Sequence, residues 1–256
     1  MKKILSFFAF AAITVSLTSC MKAEKVYGKT ITRQERVNSF DNINLEASCQ
    51  VVFTQDSACN VKVIGPEKVL SGLTIKSNGN TLVINKDNES LFNNIIDVRG
   101  LDKRITVYVS SPRLKNVKMN ASNSFVTQNA VTTDSLQFFI SGNGSVKMKQ
   151  VNANKLFSCL IKGNGSLDID QVRTPYYNLD IRGNGSAEGG VEGATQTHLN
   201  IRGNGDVDLN LSRCTYVYAG INGNGDVNLS GNVVSFKSDV NGVGDINTDK
   251  LNIKNK

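Results

Sequence analysis

The sequence predicts an all-β chain wound as a parallel β-helix, a solenoid whose coils are about 20 residues long. Three observations carry that expectation. A tripeptide recurs as Gly142-Asn143-Gly144, Gly163-Asn164-Gly165, Gly183-Asn184-Gly185, Gly203-Asn204-Gly205 and Gly223-Asn224-Gly225, then returns as Gly242-Val243-Gly244; successive starts lie 21, 20, 20, 20 and 19 residues apart. Apolar and polar residues alternate on both sides of each copy, the period of a strand with one dry face and one wet face. No helical period persists beyond the first 20 residues. The recurrence is too short for a helical repeat of about 34 residues or a propeller blade of about 40.

The chain opens with a segment that reads as an address. Lys2 and Lys3 precede an apolar run from Ile4 to Leu17. That run is shorter than the roughly 20 residues that span a bilayer. Leu17-Thr18-Ser19-Cys20 resembles the lipobox of bacterial lipoproteins, which are cut before the cysteine and acylated on it. Residues 1–19 are therefore expected to be a lipoprotein signal peptide, and residues 20–34 the lipidated Cys20 and a tether. Met21 stands where inner-membrane retention signals carry Asp, which favours the outer membrane. The alternative is an ordinary secretory signal with a chance cysteine. Residues 35–256 are expected to form one β-helix domain, irregular over 35–116 and regular over 117–256.

Composition narrows the function classes. Glycine is abundant at 22 residues, proline is scarce at 3 and tryptophan is absent, as suits strands joined by tight corners. The formal charge of +7 falls to +5 without Lys2 and Lys3, and the basic residues are dispersed, so a nucleic-acid partner is not expected. Beyond Cys20 stand Cys49, Cys59, Cys159 and Cys214, whose spacing matches no zinc motif. An oxidising compartment permits disulfides in three possible pairings. The competing expectation is that they are small buried hydrophobes, since Cys159 occupies an inward position.

Within the repeat, the first glycine of each phrase serves as position zero. Two residues earlier stand Ile140, Ile161, Ile181, Ile201, Ile221 and Val240; four earlier stand Phe138, Cys159, Leu179, Leu199, Ala219 and Ser238. The alternation resumes after the phrase with Val146, Leu167, Ala187, Val207, Val227 and Ile246. Two strands thus meet at each corner with their apolar sides inward. Stacking at about 4.8 Å places like residues over like, and no coil is stable alone. The glycines are expected to supply positive φ at sharp corners, and the central asparagines to form a ladder of side-chain amides. A phosphate-cradling role would need a following helix N-terminus, and none is visible. Weaker copies at Val117 to Asn123 and Ile43 to Cys49 extend the pattern upstream. Between them lie less regular strands, a turn at Asn78-Gly79 and a polar loop from Asp87 to Asp102. Lysines in the closing strand, Leu251 to Lys256, suit an exposed end that must not pair with another chain.

The signal and lipobox, the Phe40-Asp41-Asn42-Ile43 opening, the strands Val51–Gln55, Val107–Val109 and Leu114–Met119, and the run of Gly-Asn-Gly corners together resemble the head GIN domain family of auto-transporter adhesin-like proteins. The likeness covers roughly residues 35–256. It implies a right-handed parallel β-helix and a cell-envelope lipoprotein, and it implies no enzymatic activity.

Chemistry finds few candidates. The single histidine, His198, sits at an outward position and leaves any triad without company. The Asp206, Asp226 and Asp245 column offers oxygen ligands for calcium, with turn-capping as the alternative. A basic stripe of Lys162, Arg182 and Arg202, close to Asp180, and outward Tyr176, Tyr216 and Tyr218 form a possible ligand surface. The first functional expectation is a non-enzymatic, lipid-anchored structural or adhesion module of the outer envelope, with no cofactor. The second is a glycan-binding or glycan-processing β-helix, its partner a polysaccharide in place of another envelope protein.

Overall fold

The alternating stretches become strands where the pattern assigns them, and one further strand takes residues 30–35, most of them in the expected tether. The computed structural model describes residues 27–86 and 105–255. The expected signal peptide, Cys20 and the polar loop from Asp87 to Asp102 lie outside the described residues. The strands in chain order are β1 (Thr30–Glu35), β2 (Asn42–Leu45), β3 (Gln50–Gln55), β4 (Asn60–Pro66), β5 (Leu73–Asn78), β6 (Thr81–Lys86), β7 (Thr106–Ser111), β8 (Asn116–Met119) and β9 (Ser124–Thr127). The regular part continues with β10 (Val131–Ile140), β11 (Ser145–Ile161), β12 (Ser166–Arg173), β13 (Tyr176–Ile181), β14 (Ser186–Glu192), β15 (Gln196–Ile201), β16 (Asp206–Ile221), β17 (Val227–Val240) and β18 (Ile246–Ile253). One helical turn, Glu67–Leu70, interrupts them. Together they make a β-solenoid of about 7 turns.

Each regular coil gives one segment before its corner and one after. Before the corner, β13 stacks in parallel between the end of β11 and β15, and β15 between β13 and the end of β16. After it, β12, β14, the start of β16, the start of β17 and β18 stack likewise. The register sets Ile161 opposite Ile181 and Ile181 opposite Ile201, so the isoleucine column is continuous and buried. Burying one such side chain stabilises by roughly 1.5–3 kcal/mol. An aromatic run, Phe53, Phe125, Phe138, Phe157 and Tyr177, threads the interior with ring centroids 5.3–6.2 Å apart.

The corners correct one expectation. Among the six phrases only Gly223 has a positive φ, at 158°, close to extended backbone. The glycines are needed for close approach instead. A Cβ on Gly163, Gly183 or Gly203 would lie 2.3 Å from the carbonyl oxygen of the glycine one coil below. A Cβ on Gly165, Gly185 or Gly205 would lie 2.7 Å from the Cγ2 of the isoleucine one coil below. The first glycine lets backbones stack, and the second makes room for the core column. The asparagine ladder forms over four of the five expected residues: Asn164 Nδ2 donates to Asn143 Oδ1 (3.1 Å), Asn184 to Asn164 (3.1 Å) and Asn204 to Asn184 (3.0 Å). Asn224 continues the stack through its backbone N–H to Gly203 O, 3.0 Å. At the earlier corner without glycine, buried Asn123 donates from Nδ2 to Ala47 O (2.6 Å) and accepts from Ala121 N (3.2 Å).

The upstream copies stack out of sequence order. β2 and β3 pair with β8 and β9, setting Ile43 opposite Val117 and Val51 opposite Phe125. Their other edges pair with β6 and β7, setting Ile43 opposite Leu82 and Val51 opposite Val107. The first coil in the chain is thus the second in the stack. Antiparallel β4 covers β7, β1 covers β4, and β5 folds back on β6 through Gly79, whose φ of 54° permits the tight turn. Asp41, only 3% exposed, holds this end through Arg113 (3.1 Å) and Lys115 (2.9 Å). The opposite end has no such cover among the described residues: β18 pairs with β17 alone.

Cys49, Cys59, Cys159 and Cys214 are all free thiols, three of them buried and Cys59 partly so. They fill core positions, and no disulfide joins them.

Candidate functional site

The outward faces of β13, β15 and the end of β16 carry the most distinctive surface. The register places Tyr176, Gln196 and Tyr216 in one column, and Asn178, His198 and Tyr218 in the next. Alternation alone turns these side chains outward while Tyr177, Leu179, Leu199 and Val217 fill the core. Tyr176 and Tyr216 lie two rungs apart, about 10 Å. His198 stands beside both later rings, with centroids 6.2 Å from Tyr216 and 6.0 Å from Tyr218.

A groove of about 580 Å³ opens beside this cluster. Leu156, Pro175 and Tyr176 give it an apolar wall, and Asn154, Asn178 and Gln196 supply amides. Tyr176 is 48% exposed. Below it Tyr177 stacks on Phe157 at 5.3 Å, and burial pushes the Tyr177 phenol up, so it stays neutral. The floor is buried and aromatic while the rim is polar. Among the described residues no carboxylate lines the groove.

The basic stripe stands elsewhere on the same face. Arg182 is six residues beyond Tyr176 along the strand, about 20 Å away. Its guanidinium donates to Asp180 from Nε (2.9 Å) and Nη2 (2.7 Å), and Arg202 approaches the same carboxylate at 3.8 Å. Asp180 therefore screens two of the three stacked cations from each other, and the sequence-predicted tyrosines and arginines do not share one subsite.

The aspartate column is used for capping. Asp206 accepts the backbone N–H of Asp226 (3.3 Å), and Asp226 accepts that of Asp245 (3.0 Å). Among the described residues no group of three or more His, Cys, Asp or Glu side chains could hold a metal. A second acidic column, Asp168, Glu188 and Asp208, follows on the strands after the corners, with Lys147 paired to Asp168. These carboxylates belong to a different stack of strands from the tyrosine groove.

Sequence reasoning found the tyrosines and missed their neighbours. His198, the single histidine, is read as outward but not as a neighbour of the tyrosines, Asn178 and Gln196 are outward polar residues with no signal of their own, and Pro175 lies in the bend before β13. Only the coil-to-coil register, once fixed, shows that they meet.

The family model described as "Putative auto-transporter adhesin, head GIN domain" matches residues 39–213 and 178–256. The chain belongs to the head GIN domain family. Solved structures share the fold. A putative adhesin from Parabacteroides distasonis ATCC 8503 superposes with a TM-score of 0.64 at 18% identity, covering 86% of this chain and 96% of its own. A putative adhesin from Bacteroides fragilis NCTC 9343 gives 0.58 at 19% identity, covering 88% and 97%. A putative lipid binding protein from Parabacteroides distasonis ATCC 8503 gives 0.56 at 19% identity, covering 86% and 96%. No curated relative matches. In this head GIN chain no helix among the described residues is long and apolar enough to cross a membrane.

Proposed function

We propose that the protein is a non-enzymatic binding module of the cell envelope, held to the outer membrane by an acylated Cys20 and using the tyrosine face of its solenoid to engage a polysaccharide. The observation that carries this reading is the groove beside Tyr176. Aromatic rings with a polar tip stack on the apolar faces of sugar rings, and amides at the rim match their hydroxyls. The rungs repeat these groups at about 4.8 Å, which suits a long ligand. Glycan hydrolysis needs a pair of carboxyl groups about the scissile bond, and the lining of the groove among the described residues holds no carboxylate, which supports binding without cleavage. Several acyl chains on Cys20 exceed the two-signal threshold for stable anchoring.

Two measurements test the reading. Retention on immobilised envelope polysaccharides should fall about fivefold in Tyr176→Ala and in Tyr218→Ala, since stacking of one ring contributes on the order of 1 kcal/mol. Unchanged retention rejects the glycan. Separately, Cys20→Ala should move the protein from the membrane fraction to the soluble fraction, and protease treatment of intact cells should remove a surface-facing protein. A Cys20→Ala protein that stays with the membrane rejects the anchor.

A further inference from the structure

Solenoids keep their ends soluble with atypical capping units, and among the described residues such a unit covers one end. At the other, the last coil leaves inward side chains part-exposed: Phe236, Ile246 and Ile253 are half-buried and Val240 is 44% exposed, while Val243, at the corner in the place of the asparagines, is 87% exposed. β18 offers an open backbone edge beside them, which is a template for another strand.

The sequence of that edge is self-complementary. Residues 245–254 read Asp-Ile-Asn-Thr-Asp-Lys-Leu-Asn-Ile-Lys. Antiparallel pairing of two such strands about a two-fold axis sets Asp245 opposite Lys254 of the second copy, Ile246 opposite Ile253 and Asn247 opposite Asn252. In an unbroken strand Ile246 and Ile253 would point to opposite faces, because they are an odd number of residues apart. The ladder with β17 shifts register between Asn247 and Lys250, so one residue is extra there. That bulge returns both isoleucines to the inward side, where both are half-buried. At the axis two Asp249 carboxylates bracket two Lys250 ammoniums. On the neighbouring open edge, Lys237 and Asp239 flank Ser238. An edge meant only to repel would carry one sign of charge.

We infer that two copies of this chain join through their uncapped ends, β18 to β18 and antiparallel, forming an isologous dimer whose sheet runs through the junction. The open core of each copy covers that of the other. This junction is separate from the tyrosine face, which runs along the side of the solenoid.

Sedimentation velocity of the full chain carrying Cys20→Ser, which prevents acylation, tests it. A species of twice the chain's mass is expected to grow with protein concentration. Lys254→Asp alone and Asp245→Lys alone each set like charges face to face and should weaken association at least about tenfold. An equimolar mixture of the two restores opposite charges and should restore the dimer. Lys250→Cys, beside the axis, should form a reducible covalent dimer, whereas Lys162→Cys should not. Circular dichroism confirms that each variant is folded. A chain that stays monomeric into the high micromolar range without cross-linking at 250 overturns the inference. So does a dimer indifferent to the reversals and to their mixing, since its copies then meet elsewhere.

Discussion

Replacing Gly183 by alanine tests whether the corner glycines exist for close approach. The new Cβ would sit 2.3 Å from Gly163 O, 3.0 Å from Lys162 O and 3.1 Å from the Gly163 carbonyl carbon. All three are backbone atoms and cannot swing aside. Ordinary van der Waals contact begins near 3.4 Å, so the two coils must part by about 1 Å at this point. The Asn184 N–H to Gly163 O bond, already 3.2 Å, is then lost, and the Asn184 to Asn164 amide bond at 3.1 Å is stretched with it. Overpacking costs about 1–3 kcal/mol and each lost hydrogen bond about 0.5–1.5 kcal/mol, giving roughly 2–5 kcal/mol in all. For a domain of this size each kcal/mol lowers Tm by about 2–4 °C, so a loss of about 5–20 °C is expected in a thermal melt. Gly193→Ala is the contrast: no atom lies within 4 Å of its added Cβ, but its φ of 73° strains any side chain by about 1–2 kcal/mol. Gly183→Ala should therefore be the more damaging of the two. A Gly183→Ala protein melting within about 1 °C of the parent refutes the reasoning, and so does the reverse ranking.

Asn184→Ala removes one donor and one acceptor from the ladder and should cost about 1–2 kcal/mol, whereas Asn143→Ala at the ladder's end should cost about half as much; chemical denaturation resolves the difference. Asp41 gives the acid limb of the stability curve. Burial raises its carboxyl, but hydrogen bonds from Lys115, Asn80 and Arg113 outweigh that and hold it below the usual carboxylate range. A depressed folded value means the contribution is present above the unfolded value near 4 and is lost as pH falls through the folded one. Asp41→Asn should thus flatten the fall in Tm below about pH 4 while lowering Tm at pH 7. Burial pushes the Cys49 thiol up to about 12, and raises Cys159 and Cys214 as well. Iodoacetamide at pH 8 should therefore label Cys59 in the folded protein and the other three only in denaturant, as read by mass spectrometry.

The regular half was legible because its physics is periodic. A coil that stacks on a copy of itself repeats its inward residues, so Ile161, Ile181 and Ile201 announce their own contact. The first half resisted for the opposite reason. Ile43 and Val117 are similar enough to be read as coils of one stack, but no local signal says that Leu82 covers the far edge of Ile43. That pairing follows from which edge remains open after β8 has docked, a fact of assembly and not of composition. The corner glycines show a second kind of gap. Their spacing pointed to a bend, whereas their cause is an oxygen belonging to a residue 20 positions away. The tyrosine face was half visible: tyrosines stand out in any sequence, but Asn178 and Gln196 acquire meaning only beside them.

The interleaving of β2 and β3 between later strands has a consequence for how the molecule comes into being. When synthesis delivers residues 42–55 first, neither of their neighbours exists yet, and the nearer one is 39 residues away against about 20 for every later turn. Closing a longer loop costs only about 0.6 kcal/mol per doubling, so the delay is tolerable once and would be costly in rate if repeated. The slow event is therefore the assembly of a nucleus at one pole. Each subsequent winding lands on a finished template, and elongation runs in a single direction until the sequence is spent.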